Sequence, residues 1–276
     1  MPRRLSTVRG RELGEGLRKA VGAAKLNGRE LAGMLGWDPA KLSDLLNGKG
    51  GVTELEVAHL LGVCRTPVAE RDHLLGLYRE ANAKGWWQQH GSRLPIQLRT
   101  LIDHENAATD ITGWYMNLPP GLLQTSDYMR AIIQSWPTIP AAEVEGRIKA
   151  RLARHEVFDG RREFTFLVHE QALRLPVGGP AVMSEQLHHM LRMSVRPYIS
   201  LRVVPTAVGA HAGLAGSFTR MRFAGIPPVV FVETENSSLF IEDKAPIEGY
   251  TKVLESLGGV ALDEEQSRQL ITSMAT

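Results

Sequence analysis

Apolar positions recur at helical spacing through the first third of the chain, and period-two alternation appears only in its second half. Leu13, Leu17, Ala20, Val21 and Ala24 predict a helix over about 8–25. Leu31, Ala32 and Leu35 predict a second over 29–35, which Gly36 ends by supplying the backbone freedom of a helix C-terminus. Asp38 is an N-cap, and Pro39 stands at the first helical position, where its missing N–H is no loss. Leu42, Leu45 and Leu46 form the stripe of a third helix, ended by Asn47-Gly48. Thr53 caps a fourth helix, to about 61. Thr66-Pro67 opens a fifth, whose apolar side carries Leu74, Leu75, Leu77 and Tyr78 as far as about Ala83.

The pattern then changes. A helix is expected over 95–110, a β-prone segment over 111–116, and a turn at 118–125 leading into a helix through Tyr128 and Ile133. A helix over 141–158 places Val144, Ile148, Leu152 and Val157 inside and Arg147, Lys149, Arg151 and Arg154 on a solvated face. Strands are expected at 164–169, 199–204, 218–223, 229–233 and 238–242, the last two as a hairpin, with helices at 182–193, 246–257 and 263–274. The expected layout is therefore multidomain: an all-α five-helix domain at 1–83, a linker at 84–94, and an α+β domain at 95–276 with a mostly antiparallel sheet. Trp86 and Trp87 in the linker suit docking of the first domain on the second, with ligand or partner stacking as the alternative. The stretch Leu187–Met193, rich in Leu and Met, and exposed strands offer surfaces for a homodimer.

Charge sharpens the division. The whole chain of 276 residues carries only +2, but residues 1–50 hold ten Lys and Arg against five Asp and Glu, a balance of +5 that leaves −3 for the rest. The positive field is concentrated on the first domain, as nucleic-acid binding requires. Cys64 is the sole cysteine, which excludes an internal disulfide and a multi-thiolate zinc site and reads as a small core residue. No apolar run follows Met1-Pro-Arg-Arg, and no stretch reaches the roughly 18–20 apolar residues of a membrane span, so the expectation is a cytoplasmic, nucleoid-associated protein with no membrane.

Two short helices joined at Gly36–Asp38 make a helix-turn-helix, the second short enough to lie in a DNA major groove; an ordinary helical hairpin is the plain alternative. The residues Arg29-Glu-Leu-Ala-x-x-Leu-Gly36, Leu42-Ser43 and Asn47-Gly48-Lys49, with helices before and after, resemble the Xre, or lambda-repressor-like, DNA-binding domains. That resemblance implies the five-helix bundle and a double-stranded DNA operator. Arg29 opens the second helix near the phosphate backbone; Ala40, Lys41 and Asp44 face base edges; Ser43, Asn47 and Lys49 suit phosphates. Pro39 stands where such domains commonly carry glutamine, and Leu46 where an acidic residue is usual, so no operator sequence transfers.

The second domain also carries a resemblance. Gly85-Trp-Trp, Leu94-Pro, Glu105-x-x-Ala108, Pro120-Gly-Leu-Leu-Gln-Thr125, Tyr128, Arg151, His169-Glu170, Leu173-Arg174, Gly178-Gly179, Gln186-Leu187, Val204-Pro205, Gly209-Ala-His-x-Gly213 and Phe218 occur in order. Together they resemble the C-terminal domain of a large actinobacterial family of Xre regulators, described as antitoxin-like and commonly encoded beside a small partner protein. The resemblance spans about 8–275. It implies a sequence-specific transcriptional regulator, a homodimer, whose C-terminal domain senses a ligand or a small neighbour-encoded protein partner. The alternative is an antitoxin-like protein that neutralises that partner and autoregulates its operon.

Catalytic patterns are weak. His169-Glu170 lacks the second histidine of a zinc protease, since position 173 is leucine, and Glu170 is more simply an acid paired with Arg174. No Gly-x-Ser-x-Gly elbow occurs, and Gly178-Gly179 lacks the lysine of a phosphate loop. Gly209–Gly213 reads first as a glycine-rich connection and second as a loop over a pocket with His211 touching a ligand. The expectation is no enzyme, no cofactor and no metal.

Overall fold

The computed structural model describes residues 8–82, 96–234 and 238–275. The chain divides into two compact units, Met1–Ser92 and Arg93–Thr276.

Among its described residues the first unit has five helices: α1 (Val8–Ala23), α2 (Gly28–Leu35), α3 (Pro39–Leu46), α4 (Glu54–Val63) and α5 (Val68–Asn82). Their ends lie within about two residues of the sequence expectation, because capping residues define them. Asn27 and Glu30 form a reciprocal capping box on α2, Asp38 accepts from Ala40 N on α3, and Thr53 and Glu56 repeat the box on α4. Leu13, Leu17, Leu31, Leu42, Leu45, Val57, Leu60, Leu61 and Leu74 fill one core, and Cys64 lies buried among them. Each such side chain contributes roughly 1.5–3 kcal/mol on burial. Gly48, at φ +72°, turns the chain under α1 so closely that an added Cβ would stand 2.5 Å from the backbone of Gly10 and Arg11. The arginine Arg18 of α1 donates to the carbonyl of Leu46, closing the end of α3 onto the same helix.

The second unit is built on a six-stranded sheet in the order β3-β2-β1-β4-β5-β6. Its strands are β1 (Asp110–Tyr115), β2 (Glu163–His169), β3 (Ile199–Val204), β4 (Phe218–Arg222), β5 (Val229–Glu233) and β6 (Ser238–Ile241). Its helices are α6 (Ile96–Ala107), α7 (Ser126–Ser135), α8 (Val144–Ala153), α9 (Glu170–Arg174), α10 (Pro180–Ser194), α11 (Lys244–Val260) and α12 (Glu264–Met274). The sheet is mixed. β1–β2 and β2–β3 are parallel, and β1–β4, β4–β5 and β5–β6 are antiparallel. The parallel half follows from the helical segments between those strands, which return the chain to its starting end; β5 and β6 pair antiparallel, as the sequence led one to expect.

Period-two alternation sorts the strand residues onto two cores. Ile111, Phe164, Phe166, Val168, Ile199, Leu201, Val203, Met221 and Phe231 join Leu101, Tyr128, Leu187, Met190 and Ile271. On the other face Trp114, Leu167, Val204, Phe218 and Val230 meet Ile247, Leu254 and Leu257 of α11. A sheet covered on both faces explains why β5 reads as a continuous apolar run.

Three sequence expectations are corrected here. Leu187, Met190 and Met193 are buried in the core, so the apolar side of α10 is not a free dimer surface. The expected helix over 141–158 is three pieces, a 3-10 turn at Ala141–Glu143, then α8, then a second 3-10 turn at Arg154–Val157. Its cationic face is not wholly solvated: Arg154 is buried, held by Glu105 of α6. The short helix α9 was not foreseen, since five residues carry no period.

Candidate nucleic-acid interface

The turn between α2 and α3 runs through Gly36, at φ +66°, Trp37 and the cap Asp38. Leu31, Ala32 and Leu35 of α2 and Leu42 and Leu45 of α3 point into the core, which turns the opposite side of α3 outward. On that side Ala40, Ser43 and Asn47 are exposed and Asp44 is half-buried; Asn47 Nδ2 donates to Ser43 Oγ at 3.3 Å. Arg29 is exposed at the start of α2, its backbone N–H taken by Asn27 Oδ1 at 3.1 Å. Exposed Arg29 and Lys49 flank the α3 face in sequence.

Two of the residues assigned to base reading are already engaged. Lys41 Nζ lies 2.5 Å from Glu56 Oε1 and 4.8 Å above the Trp37 ring. The Lys41 hydrogen bond, then the Thr53 backbone N–H, holds the Glu56 carboxyl below the usual carboxylate range. Asp44 pairs with Lys49 at 3.1 Å. Lys41 therefore ties α3 to the first turn of α4, and the surface left for base edges is Ala40, Ser43 and Asn47 with the Asp44–Lys49 pair beside them. Sequence reasoning missed Glu56 and Trp37 in this role. The Thr53-x-x-Glu56 capping pattern was visible, but nothing in it signals a lysine on the preceding helix.

In the second unit the residues of the long motif mostly hold the fold. Gln186 donates from Nε2 to Leu123 O at 2.7 Å and accepts from Thr125 N at 2.8 Å; Gln124 donates to Pro119 O at 2.8 Å. Glu170 binds Arg174 at 2.6 Å, as the sequence suggested, and also takes the Thr206 N–H at 2.8 Å. His211 caps the 3-10 turn Ala212–Ala215 and lies against Trp114 and His169. Trp86 and Trp87 lie outside the described residues. Among the described residues no group of three or more His, Cys, Asp or Glu is placed to hold a metal ion, and no helix is long and apolar enough to cross a membrane.

Residues 12–74 match a helix-turn-helix domain, so the class that the first unit defines is the DNA-binding one. Residues 98–273 match the family described as a domain of unknown function (DUF5753), and the chain belongs to that family. Comparisons with curated proteins and with solved structures gave no match.

Proposed function

We propose that the chain is a sequence-specific transcriptional regulator of the Xre type, without a catalytic step, whose C-terminal domain senses a ligand or a small protein partner. The observation that carries this is the outward face of α3. It is polar, capped at its start, and set in a matched helix-turn-helix of the first unit, whose residues 1–50 carry a balance of +5. Phosphate contacts from Arg29, and from Lys49 on leaving Asp44, supply affinity, and Ser43 and Asn47 supply base discrimination. One such unit reads too few base pairs for control, so two act together on half-sites about one helical turn, roughly 10 base pairs, apart.

Selection of random duplex DNA by the purified full chain, followed by sequencing, tests this. The expected result is a palindromic enrichment bound by a dimer, with affinity falling steeply in salt. Recovery of unenriched DNA, or a monomer protecting one half-site, overturns it.

A further inference from the structure

The chain leaves β3 at the carboxyl end of the parallel strands and enters β4, which pairs antiparallel with β1 from the Trp114–Phe218 register onward. Because β2 and β1 stand between β3 and β4, the connecting loop 205–217 must cross the carboxyl ends of both. The strand order reverses between β1 and β4, and it is at the carboxyl ends of strands beside such a reversal that open sheets offer a crevice to ligands.

Two histidines meet there. His169 ends β2 and His211 lies in the crossing loop; their ring centroids are 5.4 Å apart, and both rings stand edge-on to the buried Trp114, at 6.0 and 5.2 Å. The loop is pinned to β1 because Trp114 Nε1 donates to Gly213 O at 2.9 Å, and a Cβ at Gly213 would stand 2.5 Å from that indole. Glu170 Oε2 takes the Thr206 N–H and anchors the loop at its start.

The tautomers are fixed by the backbone. His169 Nδ1 accepts from Gln171 N at 3.2 Å, and His211 Nδ1 accepts from Gly213 N at 3.1 Å. A neutral imidazole whose Nδ1 accepts carries its hydrogen on Nε2. Both rings therefore present N–H donors, and both remain half-buried rather than covered. Metal ligation through Nε2 would demand the hydrogen on Nδ1, against a backbone N–H. Burial, with the neighbouring His211, also pushes the His169 imidazole down, which favours the neutral donor form. The adjacent Glu170 carboxylate is already engaged at both oxygens, by Arg174 and Thr206.

We propose that the Nε2–H groups of His169 and His211, over Trp114 at the carboxyl edge of β1 and β2, form a binding site for an acceptor-only group, a carboxylate or a phosphate. The site deepens the sensing half of the regulator reading and rests on that reading only for its effect on DNA.

The test is a side-chain histidine NMR titration of the full chain with acetate and, separately, inorganic phosphate. Asparagine at either position keeps an acceptor for the backbone N–H and removes the Nε2–H donor, so His169→Asn and His211→Asn preserve the turn caps. The expected result is the Nε2–H tautomer at both residues and a saturable shift of both with at least one anion. Each variant should bind about tenfold more weakly or worse. The tighter anion identifies the source of the oxygens. Nδ1–H tautomers, no saturable shift with either anion, or undiminished binding in both variants overturns the site. DNA affinity measured with and without the anion tests the regulatory link separately: a site that binds and leaves DNA affinity unchanged stands, while its role in control fails.

Discussion

Arg154 and Glu105 form a two-pronged ion pair inside the second unit, Nε to Oε2 at 2.8 Å and Nη2 to Oε1 at 2.6 Å, with side-chain exposures of 9% and 4%. The pair clasps the 3-10 turn after α8 to α6. Desolvation offsets much of its attraction, but removing one partner strands a buried charge. Glu105→Gln is expected to cost about 3–5 kcal/mol, and Glu105→Leu with Arg154→Met to recover most of it. Urea unfolding of the full chain measures both; a loss under about 1 kcal/mol in the single variant contradicts the role given to the pair.

On DNA, Arg29→Ala is expected to weaken binding to every sequence and to reduce the salt slope by about one. Asn47→Ala should cost about 1–3 kcal/mol on the selected operator alone, if Asn47 reads a base. Lys41→Ala behaves differently, because it leaves the Glu56 carboxylate next to α3 without its lysine. Its binding loss should be independent of sequence and largely rescued by adding Glu56→Ala. Fluorescence anisotropy on specific and scrambled duplexes separates these, and an unrescued, sequence-specific loss returns Lys41 to direct base reading.

Gly48→Ala meets both a left-handed backbone and a clash with α1. It should destabilise the helix-turn-helix by at least about 1–2 kcal/mol and raise hydrogen exchange in α1 and α3 while leaving the sheet protected. Uniform exchange across both units would show that the close approach is not a local constraint.

His155 and His189 stack at 6.4 Å, and neither Nε2 finds a hydrogen-bond partner among the described residues. Burial, then the charge His189 would carry, pushes His155 from 6.5 down to about 4, and burial lowers His189 as well. The unfolded chain therefore takes up protons first as pH falls, so stability should be full above about pH 6.5 and decline toward pH 4. His155→Leu should flatten that decline. Unfolding midpoints across this range check it, and an unchanged slope in the variant assigns the acid sensitivity elsewhere.

Much of the first unit was legible in the residues, because helix ends are local chemistry. Asp38-Pro39, Thr53 with Glu56, and Gly36 each state where a helix starts or stops, and the leucine spacing states which side is buried. The strand segments were legible for a similar reason, their alternation recording two faces. The Glu170–Arg174 pair could be read because its partners are four residues apart.

The sequence by itself determined the elements, the helix-turn-helix and the positive balance of residues 1–50. Only the tertiary structure decided relations between residues far apart in the chain. It ordered the strands as β3-β2-β1-β4-β5-β6 with a parallel half, placed Arg154 against Glu105 rather than in solvent, and engaged Lys41 with Glu56. It also brought His169 to His211 by carrying a loop across the ends of two strands. The physical reason is one of range. Backbone propensity and capping act over a few residues and are written locally, whereas strand order, charge pairing and burial of a polar group depend on which distant surface the folded chain supplies.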